Sequence, residues 1–233
     1  MDIHKPKPWH GVREFLKEYA IIVIGVLTAL AAEQTVEALH HREIVNRGEA
    51  ALRDNFARFI EFQVATEREA PCIAARAAEV RAILDAASKT RRLARIGPIP
   101  QPMPLPWQVD TWEAAVASGV APYLPQDKVV LYSRISMSGI DLYGAATHEW
   151  EEWQALESLA GPPRAFSEAE EAQARDTLAR AVGHAALARF IAKNTVTRID
   201  STQLLRGKVL DAAIERGGHL PQTMCQPIVV RPE

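Results

Sequence analysis

The chain has 233 residues, with Lys+Arg 27 against Asp+Glu 29, a formal net charge of -2 and 48% hydrophobic residues. A near-neutral balance without a basic domain excludes a nucleic-acid footprint, and the length allows one core-bearing domain of about 190 residues beyond an N-terminal anchor. Alanine is abundant, glycine is sparse and strand-like runs of Val, Ile, Thr and Tyr are few, so the composition points to an all-α chain.

The first predicted element is the uncharged run from Tyr19 to Ala32. At ~1.5 Å per helical residue it covers roughly 21 Å, short of the ~30 Å hydrocarbon core. Phe15 and Leu16 extend it upstream, and Val36, Ala38 and Leu39 extend it downstream. A helix from Phe15 to Leu39 is ~37 Å long, enough to span. Lys17 can snorkel toward headgroups, and Trp9 and Tyr19 suit an interface. The reading is a single-pass membrane anchor. A cleavable signal peptide, with Ala29-Leu30-Ala31 as its small-x-small site, and a buried helix of a soluble protein are the alternatives. Against cleavage, the leader carries Glu14 and Glu18, and helix-forming sequence continues through Glu33 and Gln34.

Lys5, Lys7, Arg13 and Lys17 precede the run, while only Arg42 and Arg47 follow it closely. The positive-inside rule then sets the N-terminus in the cytoplasm and the rest outside, in the periplasm of a bacterial inner membrane. Gly25 and Ala29 form a small-xxx-small pair at which two such helices can approach. Membrane lipid is thus one expected partner, and a protein partner or a second copy is another. The expected organisation is a cytoplasmic N-terminus (1–18), a transmembrane helix (19–39), a first extracytoplasmic helix (40–96), a Pro-rich connector (97–109), a helical bundle (110–217) and a C-terminal tail (218–233).

Beyond the anchor, Leu52, Phe56, Phe59, Ile73, Ala77, Val80 and Leu84 share one seven-residue register, with Gln63, Thr66 and Ala70 in the intervening seam. Pro71 falls within it and predicts a kink or a split. Proline then occupies every second position from Pro98 to Pro106, which dictates an extended connector. Asp110 and Glu113 predict a capping box for a short helix that ends at Ser118-Gly119. Pro125 and Asp127 open a long helix toward Leu159, stopped by Gly161-Pro162-Pro163. Ser167 and Glu170 predict a second capping box and a helix running to Arg216, closed by Gly217-Gly218. Its expected buried side is Leu178, Val182, Phe190, Ile191, Ile199, Leu205, Val209 and Ile214.

Cys72 and Cys225 both fall beyond the anchor. In an oxidising compartment such a pair bonds, and the bridge would staple the tail to the domain. Neither cysteine has a redox spacing or a neighbouring histidine. His148 and Glu152 share a helical face and are a weak candidate pair of metal ligands; a di-iron bundle requires further Glu-x-x-His segments that the chain lacks. His40-His41 is a poor chelate, and His184 reads as a packing residue. Neither a nucleophile elbow nor a phosphate loop occurs, so no catalytic, cofactor or metal residues are assigned. Trp107, Trp112 and Trp150 are the candidate partner-binding side chains.

Trp9, Arg13-Glu14-Phe15-Leu16-Lys17-Glu18 and the apolar run closed by Glu33 resemble a family of uncharacterised bacterial single-pass membrane proteins. The segment Thr111 to Gly119, followed by Tyr123-Leu124 and a long helix, is similar to a second feature of that family. The resemblance implies a short cytoplasmic N-terminus, one membrane helix and an extracytoplasmic helical domain, with no activity attached. The expectation is a membrane-anchored helical binding, scaffold or accessory protein. A periplasmic ligand-sensing bundle is the alternative, and a periplasmic enzyme with a pocket drawn from His148, Glu149, Glu152, His184 and Asp200 is a third.

Overall fold

A computed structural model of the chain describes residues 11–103 and 110–231. The described chain is all-α apart from four strands of two residues each. Its helices are α1 (Val12–Thr90), α2 (Thr111–Ala117), α3 (Gln126–Leu156), α4 (Glu168–Ser201) and α5 (Lys208–His219). The strands are β1 (Arg92–Leu93), β2 (Arg95–Ile96), β3 (Arg164–Ala165) and β4 (Val230–Arg231). By its contacts the chain divides into Met1–Gly48 and Glu49–Glu233.

In the first unit, every helical residue of α1 through Leu39 is exposed except Val23, which is half-buried. The exposed set includes Ile21, Ile22, Ile24, Val26, Leu27 and Leu30. Two threonines interrupt this apolar surface, and both hydroxyls turn inward. Thr28 Oγ1 donates to the Ile24 carbonyl and Thr35 Oγ1 to the Ala31 carbonyl, each at 2.7 Å. Their polarity is thereby spent on the helix itself.

In the second unit, Leu52, Phe56, Phe59, Ile73, Ala77, Val80 and Leu84 are all buried, and Gln63, Thr66 and Ala70 are half-buried. The register reads correctly because the part of α1 within this unit packs one face on α3 and α4, with Phe59 against Gly139 and Asp85 against Arg175. Ascending pairs fix α3 beside α1 in the same direction: Tyr132 reaches Glu49, and Gly139 sits against Phe59. A Cβ on Gly139 would lie 2.9 Å from Phe59 Cζ, so only glycine admits that ring. Helix α4 returns antiparallel to α3, with Arg180 on Glu152 and Arg198 near Ser138. The helix is not divided at Pro71, which lies at an exposed position of α1. The carbonyl that Pro71 cannot serve belongs to exposed Glu67, where solvent can satisfy it.

The long last helix expected to reach Arg216 is two helices. Helix α4 stops at Ser201, and the chain turns through Gln203 (φ 54°) and Gly207 (φ 53°) before α5. Leu205 in that turn is 3% exposed, so core burial holds the break that no proline marks. Gly217-Gly218 does not close a helix but lies inside α5. A Cβ on Gly217 would stand 2.6 Å from the Glu61 carbonyl oxygen, which makes this glycine the crossing point of α5 on α1.

The side expected to be buried along the long last helix, now α4 and α5, also differs from expectation. Phe190, Val209 and Ile214 are exposed, at 65%, 48% and 46%, while Ala181, Ala185, Ala188 and Ala192 are buried. Alanines let the α4 backbone approach its neighbours closely, and this close packing decides the face over side-chain size. The Ser167–Glu170 capping box forms as read, whereas Asp110 caps α2 without a side-chain hydrogen bond. Beyond Thr90, β1 pairs antiparallel with β3 and β2 with β4, two ladders too short for sequence periodicity to reveal.

Candidate functional site

Cys72 on α1 and Cys225 in the tail form a disulfide, with Cα atoms 4.7 Å apart. The bridge is one of several ties that lay the tail along α1. The Met224 N–H donates to Glu69 Oε1 at 2.8 Å, and the Ile228 N–H donates to Glu79 Oε2 at 2.9 Å. Gly97 N–H then donates to the Val229 carbonyl at 2.8 Å, and β4 closes on β2. Met224 and Ile228 enter the core beside Trp153, Leu84 and Ile96. Upstream, Arg68 donates to the Gly217 and Gly218 carbonyls at the end of α5, and Arg216 Nε meets Glu61 at 2.7 Å. Each carboxylate on this side of α1 therefore has a tail or α5 partner, which explains why Glu61 and Glu69 are buried.

Beneath the tail lies an acid pair shared by α1 and α3. Glu149 is 6% exposed and its carboxyl is pushed up to about 8, first by burial and then by the charge of Glu69. Arg189 and the Trp153 indole pull the other way, less strongly. Burial also raises Glu69, opposed by the Met224 and Thr223 donors. Glu149 Oε1, Trp153 Nε1 and Arg189 Nε are buried without hydrogen-bond partners among the described residues. A carboxyl carrying its proton at neutral pH is the state in which this packing is cheapest. A second polar link, Glu49 with Lys128 at 2.5 Å and Tyr132 at 3.1 Å, joins α1 to the start of α3. The Tyr132 hydroxyl is raised to about 12 by burial and the Glu49 charge.

The residues considered for a catalytic pocket divide into three places. His148, Glu152 and His184 come together where α3 and α4 meet, with the two imidazoles 5.3 Å apart. Within it, His148 Nδ1 faces Glu151 at 3.2 Å rather than Glu152. Glu152 instead accepts from Arg180 at 2.7 Å and faces His184 Nδ1 at 3.4 Å. His148 and Glu152 thus turn to different partners, and the Arg180 guanidinium occupies the carboxylate that a cation would need. Glu149 lies apart in the interior, and Asp200 is exposed near the end of α4. Among the described residues, no group of three His, Cys, Asp or Glu side chains is arranged to hold a metal.

The tryptophan candidates fare differently from one another. Trp112 is 8% exposed, its ring edge-on to Tyr132 at 6.2 Å between centroids, so it belongs to the core and offers no docking face. An amphipathic seven-residue helix buries its largest side chain first. Trp150 is half-buried, and Trp107 lies outside the described residues. Apolar side chains presented to solvent on α3 and α4 include Met137, Ile140, Tyr143, Leu187 and Phe190. Of these, Phe190 is the one that the sequence reading places on the buried side of its helix. Gly25 and Ala29 are both exposed one turn apart, and nothing lies within 4 Å of a Cβ at Gly25.

No protein-family model matches the chain, and no curated protein or solved structure matches it either.

Proposed function

We propose that the chain is a membrane-anchored helical protein that acts by binding, as a scaffold, accessory subunit or self-assembling module. Its N-terminus lies in the cytoplasm, and its disulfide-bearing unit, a helical bundle, lies in the periplasm of a bacterial inner membrane. The observation that carries this reading is the uncovered apolar surface of α1 around Tyr19 to Ala32, of which none is buried in the best spanning window. Ile21, Ile22, Ile24, Val26, Leu27 and Leu30 together point around the whole circumference, so no single packing face can cover them. Each large apolar side chain left in water forgoes about 1.5–3 kcal/mol of burial, and hydrocarbon recovers it. Between Ala20 and Ala32 the one polar side chain is Thr28, and its inward hydroxyl needs no water.

The Cys72–Cys225 bond suits an oxidising compartment. The resemblance to uncharacterised single-pass membrane proteins supports the same organisation. For binding, the argument rests on Phe190, Met137, Ile140, Leu187 and Tyr143, exposed side chains of the kinds that anchor interfaces. A second reading, a periplasmic ligand-sensing bundle, draws on an apolar groove of about 370 Å³ walled by Ile83, Leu93, Ile96 and Val230.

The test is the native mass of the full chain, purified in gentle detergent, compared with Phe190→Ser combined with Ile140→Ser. The scaffold reading expects an oligomer or a stoichiometric co-purifying protein that the double variant loses. A lone wild-type monomer contradicts it.

A further inference from the structure

Two rows of residues on the α3–α4 hairpin keep a heptad spacing that the core does not use. On α3 the row is Val130, Met137, Ile140, Gly144 and Thr147; on α4 it is Gly183, Leu187, Phe190 and Asn194. Neither row carries a charge, and Met137, Ile140, Leu187 and Phe190 are all exposed. Rows with this spacing are seams at which helices pack knobs into holes. Both rows open on the same side. On α3, Gly139 meets Phe59 of α1, Ser138 lies ~100° round and nears Arg198 of α4, and Met137 lies a further ~100° round. On α4, Ala185 joins the core that includes Ala77 of α1, His184 faces Glu152 of α3, and Gly183 lies a further ~100° round. Because the two helices are antiparallel, these turns run in opposite senses in space and bring both rows to the face turned away from α1.

The face is complementary to itself. The contact of Glu152 with His184 and that of Ser138 with Arg198 set Phe190 level with Gly144 on the neighbouring helix. A Cβ at Gly144 or Gly183 would meet nothing within 4 Å, so each glycine leaves a hollow in the face. A two-fold axis parallel to the helices lays α3 of one copy over α4 of the other at the same level, and the four helices then alternate in direction as in an up-down bundle. We propose that this face is the interface between two copies of the chain, held by Phe190 of each copy in the hollow over Gly144 of the other. The proposal rests on the membrane-anchored binding reading and names the partner in it. Two helices ~20 Å across and ~25 Å of seam give ~1,000 Å² over both copies, about the area at which interfaces become specific. Anchoring in one bilayer adds to this, since it raises the concentration of each copy around the other. An uncharged face offers a charged partner no ion pair to read.

The experiment measures the native mass of the full chain in gentle detergent over a dilution series, for wild type and Gly144→Leu. The added side chain has room in a single copy, but it fills the hollow that Phe190 needs while enlarging the apolar surface. The proposal expects a wild-type dimer whose dissociation constant rises roughly tenfold or more in Gly144→Leu. A partner that merely binds apolar surface would hold Gly144→Leu as well as wild type. Circular dichroism and the Cys72–Cys225 bond on a non-reducing gel verify the fold of the variant. Benzoylphenylalanine in place of Phe190 supplies a second measurement. Irradiation should give an adduct of twice the chain mass, with the linked peptide containing Gly144. A dimer of unchanged strength in Gly144→Leu overturns the proposal. So does an adduct with a different protein, which leaves the scaffold reading standing; a lone wild-type monomer ends both.

Discussion

The buried carboxylate of Glu69 accepts the backbone N–H of Met224 at 2.8 Å, one helical turn before Cys72, which is bonded to the adjacent Cys225. Hydrogen bond and disulfide thus fix neighbouring residues of the tail to the same stretch of α1. The bridge closes a loop with a sequence separation of 153 residues, for which chain entropy gives a stabilisation of about 5 kcal/mol. Cys72→Ser combined with Cys225→Ser is expected to lower the unfolding free energy by about 2–5 kcal/mol. Denaturant titration with and without reductant measures this. A wild-type midpoint insensitive to reductant would contradict it.

Gly217 bears on the same side of α1, where α5 crosses Glu61. Gly217→Ala places a methyl group against backbone that cannot rotate away, and overpacking of this kind costs typically ~1–3 kcal/mol. Gly218→Ala, with open space at its Cβ, is the matched control and gains helix propensity. Melting temperatures of the two variants should move in opposite directions. Equal shifts would dissolve the crossing argument.

These two positions also mark how far the sequence could be read. The seven-residue register from Leu52 to Leu84, the Ser167–Glu170 box and the start of α3 were legible because each is a local pattern with a local cause. The disulfide was legible from cysteine count and placement. The break after Ser201 was not, because it depends on Leu205 being drawn into a core assembled by distant elements. Gly217-Gly218 looked like a helix stop, since a close backbone crossing and a cap call for the same residue. Phe190 looked buried, since its size outweighed the alanines that in fact set the packed face. The acid pair Glu69–Glu149 joins two helices and has no sequence signature at all.

That pair gives the protein a pH dependence. The folded-state pKa of Glu149 lies at about 8, above the 4.5 of an unperturbed glutamate, so the folded chain keeps a proton that the unfolded chain releases. Stability is fully present below about pH 4.5 and is lost progressively as pH rises toward about 8. Glu149→Gln removes the ionisation and should raise the melting temperature by several degrees at pH 8 while changing it little at pH 4.5. Thermal melts of both proteins across that range measure the difference. A gap that is constant with pH would exclude Glu149 as its source.

The central claim is that α1 carries the chain across a membrane with its second unit outside. A reporter that is active only in the periplasm, fused after Glu233 and assayed in intact cells, tests it most directly. The account predicts full reporter activity, retained in the membrane fraction. Activity of a cytoplasm-only reporter at the same position would contradict the orientation, and with it the compartment in which Cys72 and Cys225 are read as bonding.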